Sequence, residues 1–248
     1  MVPPDALVLV LGGGPLPPGA GTLVPPDAVV VAADSGVDAA LDAGIHVHHV
    51  VGDLDSASGA AVAAAEASGA TIHRHLADKD ATDAELALDL LLDLVGVDLT
   101  AEPRRSTLLV LGSAGGRLDH LLADVHSLAS ARLAQVEVTA RFGEAVLTVV
   151  RPDRPRRITG SAGEQVSILP IGGLARGVTT TFLRWPLVDA DLVAGTTRGV
   201  SNELLGDEAV VSVGNGIVVV IQPGTFAGPI APRATPYDPT PVAPPPKR

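Results

Sequence analysis

His49-Val50-Val51-Gly52-Asp53-Leu54-Asp55-Ser56 is the stretch from which the fold can be read. A short strand-like run ends in glycine, two carboxylates follow one residue apart, and an alanine-rich helical run, residues 57–68, comes next. The same strand, loop, helix order recurs on both sides. Upstream, residues 7–11 run into Gly12-Gly13-Gly14 and residues 29–33 run into Asp34. Downstream, residues 71–73 read as a strand and 83–95 as a helix with Leu86, Leu90 and Leu94 along one face. Residues 108–111 read as a strand ending in Gly112-Ser113, 118–133 as an amphipathic helix, and 136–140 as a closing strand. This alternation predicts a mostly parallel sheet covered by helices on both faces. Strands buried on both sides read as unbroken Val/Leu/Ala runs, as these do. Ligands of such sheets bind outside the carboxyl ends of the strands, so Gly12, Asp34, Asp53 and Gly112 are expected along one edge.

The pattern changes near Glu144. No long helix follows. Strand-like runs come at 146–150, 166–171, 177–182, 209–213 and 217–221, and Asn215-Gly216 reads as a hairpin turn between the last two. The expected architecture is an N-terminal mostly parallel α/β unit over 1–143. A C-terminal antiparallel β-sandwich or barrel over 144–222 follows it, then a proline-rich disordered tail over 223–248.

Composition limits the function classes. Apolar residues make up 46% of the chain, enough for a folded core, and the absence of cysteine excludes disulfides and thiolate chemistry. With a formal charge of −11 and no dense basic run, nucleic acid is not an expected partner. Arg104–Arg105 and the group Arg151, Arg154, Arg156 and Arg157 read as solvated loops. No signal-peptide pattern and no membrane-length apolar run appears, which makes the cytoplasm the expected compartment. An acidic protein that binds a polyphosphate needs local cationic help, and a divalent ion supplies it.

The candidate chemistry lies in short clusters. Asp53 and Asp55 on one strand end can converge on one cation, and magnesium favours carboxylates together with phosphate and water oxygens. Asp78-Lys79-Asp80-Ala81-Thr82-Asp83 places acids, a lysine and a hydroxyl where a helix begins and backbone amides favour anions. Thr82 followed by Glu85 is also a capping pattern. Asp34, at another strand end, can bond a ribose or cap a helix. Gly112 through His120 combines close backbone approach with the planar fork of Arg117. In the second half, Trp185 stands out as the one tryptophan, and Ser201-Asn202 as a polar pair.

In that order, Ala33-Asp34-Ser35-Gly36, Gly52-Asp53-Leu54-Asp55-Ser56, Asp78 to Asp83, Gly115-Gly116-Arg117-Leu118-Asp119-His120, Leu183-Arg184-Trp185-Pro186-Leu187 and Ser201-Asn202-Glu203 resemble the thiamine pyrophosphokinase (thiamine diphosphokinase) family. The resemblance spans roughly residues 8–221. It implies an ATP-binding α/β unit followed by a β-sandwich, a homodimer, and transfer of a pyrophosphoryl group from ATP to thiamine with release of AMP. Carried over by position, it implies that Asp53, Asp55 and Asp83 hold Mg2+. Asp34, Lys79, Thr82, Arg117 and His120 surround the nucleotide, and Arg117, Asp119 and His120 lie near the reacting groups. Trp185, Ser201 and Asn202 meet thiamine, in a site shared across the dimer. Two positions depart from the family pattern: Ser35 replaces a glycine, and Phe182 stands where glycine is usual. A pyrophosphokinase of another hydroxymethyl heterocycle, such as a pterin, and a non-catalytic nucleotide-binding module are the alternatives.

Overall fold

The computed structural model describes residues 5–95 and 106–224. The expected proline-rich tail lies outside the described residues from 225 onward, and so do Arg104 and Arg105. The first half builds β1 (Ala6–Leu11), α1 (Ala20–Leu23), β2 (Val29–Ala33), α2 (Gly36–Asp42), β3 (His49–Gly52), α3 (Gly59–Ala67), β4 (Thr71–Arg74), α4 (Asp83–Val95), β5 (Ser106–Gly112), α5 (Leu118–Leu128) and β6 (Val136–Phe142). The strands pair in parallel in the order β4-β3-β2-β1-β5-β6. The chain leaves β1 toward one edge and returns to its other side at β5. That reversal opens a crevice between the carboxyl ends of β1 and β5, where such sheets bind ligands.

Each face of the sheet has its own core. On one side, Leu9, Val31, Leu108 and Val138 pack with Ala87, Leu88 and Leu91 of α4 and Leu128 of α5. On the other, Val8, Val10, Val30 and Val50 pack with Val37 and Ala40 of α2 and Val62 and Ala65 of α3. The α4 stripe is thus centred on Ala87, Leu88 and Leu91, and Leu86, Leu90 and Leu94 flank it partly buried. Among the described residues no helix is long and apolar enough to cross a membrane.

The second half adds β7 (Ala145–Val150), β8 (Arg156–Thr159), β9 (Gln165–Thr181), β10 (Ala190–Leu192), β11 (Asn202–Glu203), β12 (Glu208–Ser212) and β13 (Asn215–Gln222). A tight turn at Gly143-Glu144 makes β7 antiparallel to β6, so the sheet runs on through β7, β13, β9, β12 and β8. This half encloses a core of its own, including Ile158, Ile168, Leu183, Leu192 and Leu204.

Four expectations need correction. Residues 166–171 and 177–182 are not two strands. They are parts of β9, bent at Gly172-Gly173, and Phe182 lies just beyond its end with φ of +59°. Asn215-Gly216 is not a hairpin turn, because β12 and β13 do not pair with each other; both pair with β9. Gly216 is needed for a different reason: at φ +82° a Cβ there would come within 2.6 Å of the Leu174 carbonyl. The predicted 118–133 helix stops at Leu128 and resumes as a 3-10 turn over Ala131–Leu133.

That break explains the fourth correction, the arginine group. Arg151 is buried, and its guanidinium donates to the carbonyls of Leu128 (3.2 Å), Ala129 (3.3 Å) and Ser130 (2.9 Å). It closes the negative end of α5 and satisfies carbonyls that the helix itself cannot. Burial, with Arg154 nearby, pulls its pKa down to about 10, which leaves it charged at neutral pH. Arg154 donates to Gln135 and Arg156 to Thr139, so these two also tie the second half to the first, and only Arg157 lies exposed. Arg151→Met keeps the apolar stem but strands the carbonyls. It should lower the unfolding free energy by about 2–3 kcal/mol. A shifted urea midpoint at unchanged slope is the readout.

Candidate active site

A cavity of about 430 Å³ occupies the crevice. The loops after β1, β2, β3 and β5 line it together with the first turns of α4 and α5. Asp34, Asp53, Lys79, Thr82, Asp83, Arg117 and His120 all face this one space.

The acids converge because the backbone makes room for them. Gly52 sits at φ +148°, and a Cβ there would meet Asp83 Oδ1 at 3.0 Å and Asp34 Cβ at 3.3 Å. Leu54 then takes φ +62° and Asp34 φ +46°, a region that non-glycine residues seldom occupy. Such outliers cluster where geometry serves a site. The turn at Leu54 brings Asp53 and Asp55 alongside Asp34, and one carboxylate oxygen from each lies within 4.8 Å of the other two. Asp34 accepts a short hydrogen bond from Ser56 on Oδ2, while its Oδ1 is buried with no hydrogen-bond partner among the described residues. Like charges this close resist joint ionisation: Asp53 pushes the Asp55 carboxyl above its ordinary pKa. Only hard oxygen donors are present, a set that suits a magnesium-sized cation.

Lys79 provides the internal counter-charge. Its Nζ lies 2.9 Å from Asp53 Oδ2 and 2.9 Å from Asp83 Oδ1. Asp83 Oδ1 is an ion-pair neighbour there, outside hydrogen-bonding geometry. The hydrogen bond from Lys79 holds Asp53 below the usual carboxylate range. Burial opposes the Lys79 charge, but its two acids outweigh that and raise its pKa. Thr82 accepts from the Glu85 amide at 3.2 Å and so caps α4. Asp78 and Asp80 are exposed and do not line the cavity.

Arg117, which lines the cavity, grips Asp119, which does not, through Nε (3.2 Å) and a terminal nitrogen (2.6 Å). This fork holds the Asp119 carboxyl down to about 2. The pair is exposed, so it contributes little stability and stays free to exchange partners. The sequence reading had no role for Asp124. It lines the cavity one turn beyond His120, and burial raises its pKa while His120 pulls it back. The i, i+4 spacing from His120 was the available signal. Ser56 and Ser113 are two further lining residues without an earlier role.

Trp185, Ser201 and Asn202 do not line this cavity. Trp185 is about half exposed, and Phe182 is exposed as well. Ser201 is exposed at φ +58°, and Asn202 is buried. The structure therefore forms two groups, one at the strand ends and one on the second half.

Comparison with known proteins gives these arrangements a context. The family model described as "Thiamin pyrophosphokinase, catalytic domain" matches residues 21–140. The model "Thiamin pyrophosphokinase, vitamin B1 binding domain" matches residues 152–218. Thiamine pyrophosphokinase of Bacillus subtilis is 26% identical over 192 residues, covering 77% of this chain and 86% of that protein. A crystal structure of thiamin pyrophosphokinase from Geobacillus thermodenitrificans superposes with a TM-score of 0.69 at 28% identity, covering 89% of this chain and 99% of that one. The yeast thiamin pyrophosphokinase structure shares the fold at 16% identity, with a TM-score of 0.68 over 88% of this chain and 86% of that one.

Proposed function

The chain belongs to the thiamin pyrophosphokinase family, and from that premise we propose that its strand-end cavity holds ATP and Mg2+ for transfer to thiamine. The chain is a thiamine diphosphokinase: it forms thiamine diphosphate and AMP from thiamine and ATP. The hydroxyethyl oxygen of thiamine bonds to the β-phosphorus of ATP. The bond from that phosphorus to the oxygen bridging the α-phosphorus breaks, AMP leaves with that oxygen, and the hydroxyl proton is released. The observation that carries the reading is one cavity lined by Asp34, Asp53, Asp83, Lys79 and Arg117 at the strand ends.

Asp34, Asp53 and Asp55 would hold Mg2+, and Asp83 shares Lys79 with Asp53. A bound Mg2+ supplies charge neutralisation for the polyphosphate and the departing AMP. The chain's own residues do the remainder. Lys79, held by Asp53 and Asp83, presents a fixed ammonium to the phosphates. Arg117 trades Asp119 for a phosphate oxygen, matching its planar fork. Thr82 fixes the first turn of α4, whose free amides favour phosphate. In-line transfer of this kind depends on positioning and electrostatics more than on covalent help.

We further read residues 1–143 as the ATP-binding unit and 144–222 as the acceptor-binding unit. Trp185 and Ser201 then meet thiamine, and a homodimer joins the two groups into one site. The exposure of Phe182, Trp185, Val188 and Leu205 supports a second copy covering this side.

Two measurements test this. Mg2+ with AMP should raise the melting temperature of the protein, because a ligand that binds only the folded state stabilises it by mass action. Asp55→Asn should lose most of that rise; an equal rise in the variant removes Asp55 from the metal site. With ATP and Mg2+ fixed, thiamine should be consumed and a hydroxymethylpterin left intact. Consumption of the pterin alone would replace thiamine as the acceptor.

A further inference from the structure

Trp185 is the one tryptophan of the chain, and it is 48% exposed. Burial therefore does not fix the ring, and the fixing contacts can be traced individually. Asn202 is 2% exposed and faces the Trp185 backbone from both sides. Its Oδ1 accepts from the Trp185 amide (3.0 Å) and the Glu203 amide (2.9 Å), and its Nδ2 donates to the Trp185 carbonyl (2.7 Å). Both lone pairs of that oxygen are thereby engaged. The second support is Arg184, whose guanidinium carbon lies 4.8 Å from the centre of the indole ring. Glu203 anchors this guanidinium through a 2.7 Å ion pair, and its carbonyl accepts from the Arg184 amide at 2.9 Å. A bridge between Leu183 and Leu204 closes the frame.

We infer that Asn202 and the Arg184–Glu203 pair are positioning residues that mount Trp185, so that one indole face carries the guanidinium and the opposite face receives the acceptor's aromatic ring. The inference rests on the reading of Trp185 as the acceptor platform, and it moves Asn202 from substrate contact to support. A buried amide saturated by the backbone of its neighbours has little left to offer a ligand. A cation stacked on one face fixes the plane of the ring and directs an incoming ring to the other face. Phe182, which stands at φ +59° three residues before Trp185 with its carbonyl bonded to the Leu205 amide, sets the start of the same frame.

The test uses the full chain and the fact that Trp185 is its only tryptophan reporter. Parent, Arg184→Ala, Arg184→Lys and Asn202→Ala are compared by steady-state kinetics in both substrates, and by fluorescence anisotropy and thiamine quenching of Trp185. Arg184→Ala should raise the KM for thiamine about tenfold, with the KM for ATP and kcat within about twofold. Arg184→Lys, which keeps a cation for Glu203, should return to within about threefold of the parent. Asn202→Ala should lower the anisotropy and raise the KM for thiamine. If Asn202→Ala fails to fold, the Arg184 variants alone decide the matter. Unchanged thiamine KM in Arg184→Ala, or equal rises for both substrates, overturns the mount. If thiamine fails to quench Trp185 in an active parent, the platform reading falls instead, and the mount falls with it.

Discussion

Asp53→Ala should lower turnover by about a thousandfold or more while the protein stays folded. Asp53 takes part in several of the interactions that organise the cavity. Its Oδ2 holds Lys79 at 2.9 Å, its Oδ1 accepts from the Asp55 amide at 3.2 Å, and it belongs to the carboxylate cluster with Asp34 and Asp55. Removing it frees Lys79 from one of two anchors and strips the proposed Mg2+ site of a donor. Losing a single preorganised electrostatic group commonly costs a hundredfold to a thousandfold in kcat. The fold does not depend on it in the same way. Asp53 lies at the surface of the cavity, and its loss relieves the like-charge pressure on Asp55. Circular dichroism and melting temperature should match the parent. A variant that keeps full Mg2+-dependent turnover contradicts the assignment.

Gly36→Ala should act in the opposite sense, on the fold first. A Cβ at residue 36 would stand 2.4 Å from the Val10 carbonyl oxygen, 3.0 Å from the Val10 carbonyl carbon and 3.2 Å from that of Leu11. These are backbone atoms of β1, which is bonded on both sides by β2 and β5 and cannot yield. Overpacking of this kind costs about 3 kcal/mol, and for a chain of this size each kcal/mol lowers the melting temperature by roughly 2–4 °C. The expected fall is about 6–12 °C. Because Gly36 opens α2 directly after Asp34 and Ser35, nucleotide affinity should weaken as well. A melting temperature within about 1 °C of the parent would show that α2 does not press on β1 as described.

Much of this was legible in the sequence because the responsible physics is local. Buried parallel strands impose long Val/Leu runs, and residues 7–11, 29–33 and 108–111 announced themselves in that way. Asp34 and the Asp53/Asp55 pair were legible because they directly follow strands, and parallel strands end on one edge, while Asp83 was legible from the helix start that it occupies. What stayed hidden depends on partners distant in the chain. The second half places β9 between β12 and β13, a pairing that hydrophobic alternation in 209–221 cannot distinguish from a hairpin. Arg151 read as a loop cation, since nothing near it reveals that α5 ends against it. The helix α2 is short, begins with glycine and carries no periodic stripe long enough to read. Asp34 needed the fold to join Asp53 and Asp55, because the positive φ values at Asp34 and Leu54 have no signature in residue type. Asn202 was legible as important, but its work as a support emerges only when the Trp185 backbone is seen on both sides of its amide.

The central claim is that the strand-end acids and Lys79 serve pyrophosphoryl transfer to thiamine. Incubation of the full chain with ATP, Mg2+ and thiamine, with nucleotide products separated and quantified, tests it most directly. The account predicts AMP and thiamine diphosphate in equal amounts, with no ADP. Formation of ADP with thiamine monophosphate, or no thiamine-dependent product at all, would contradict it.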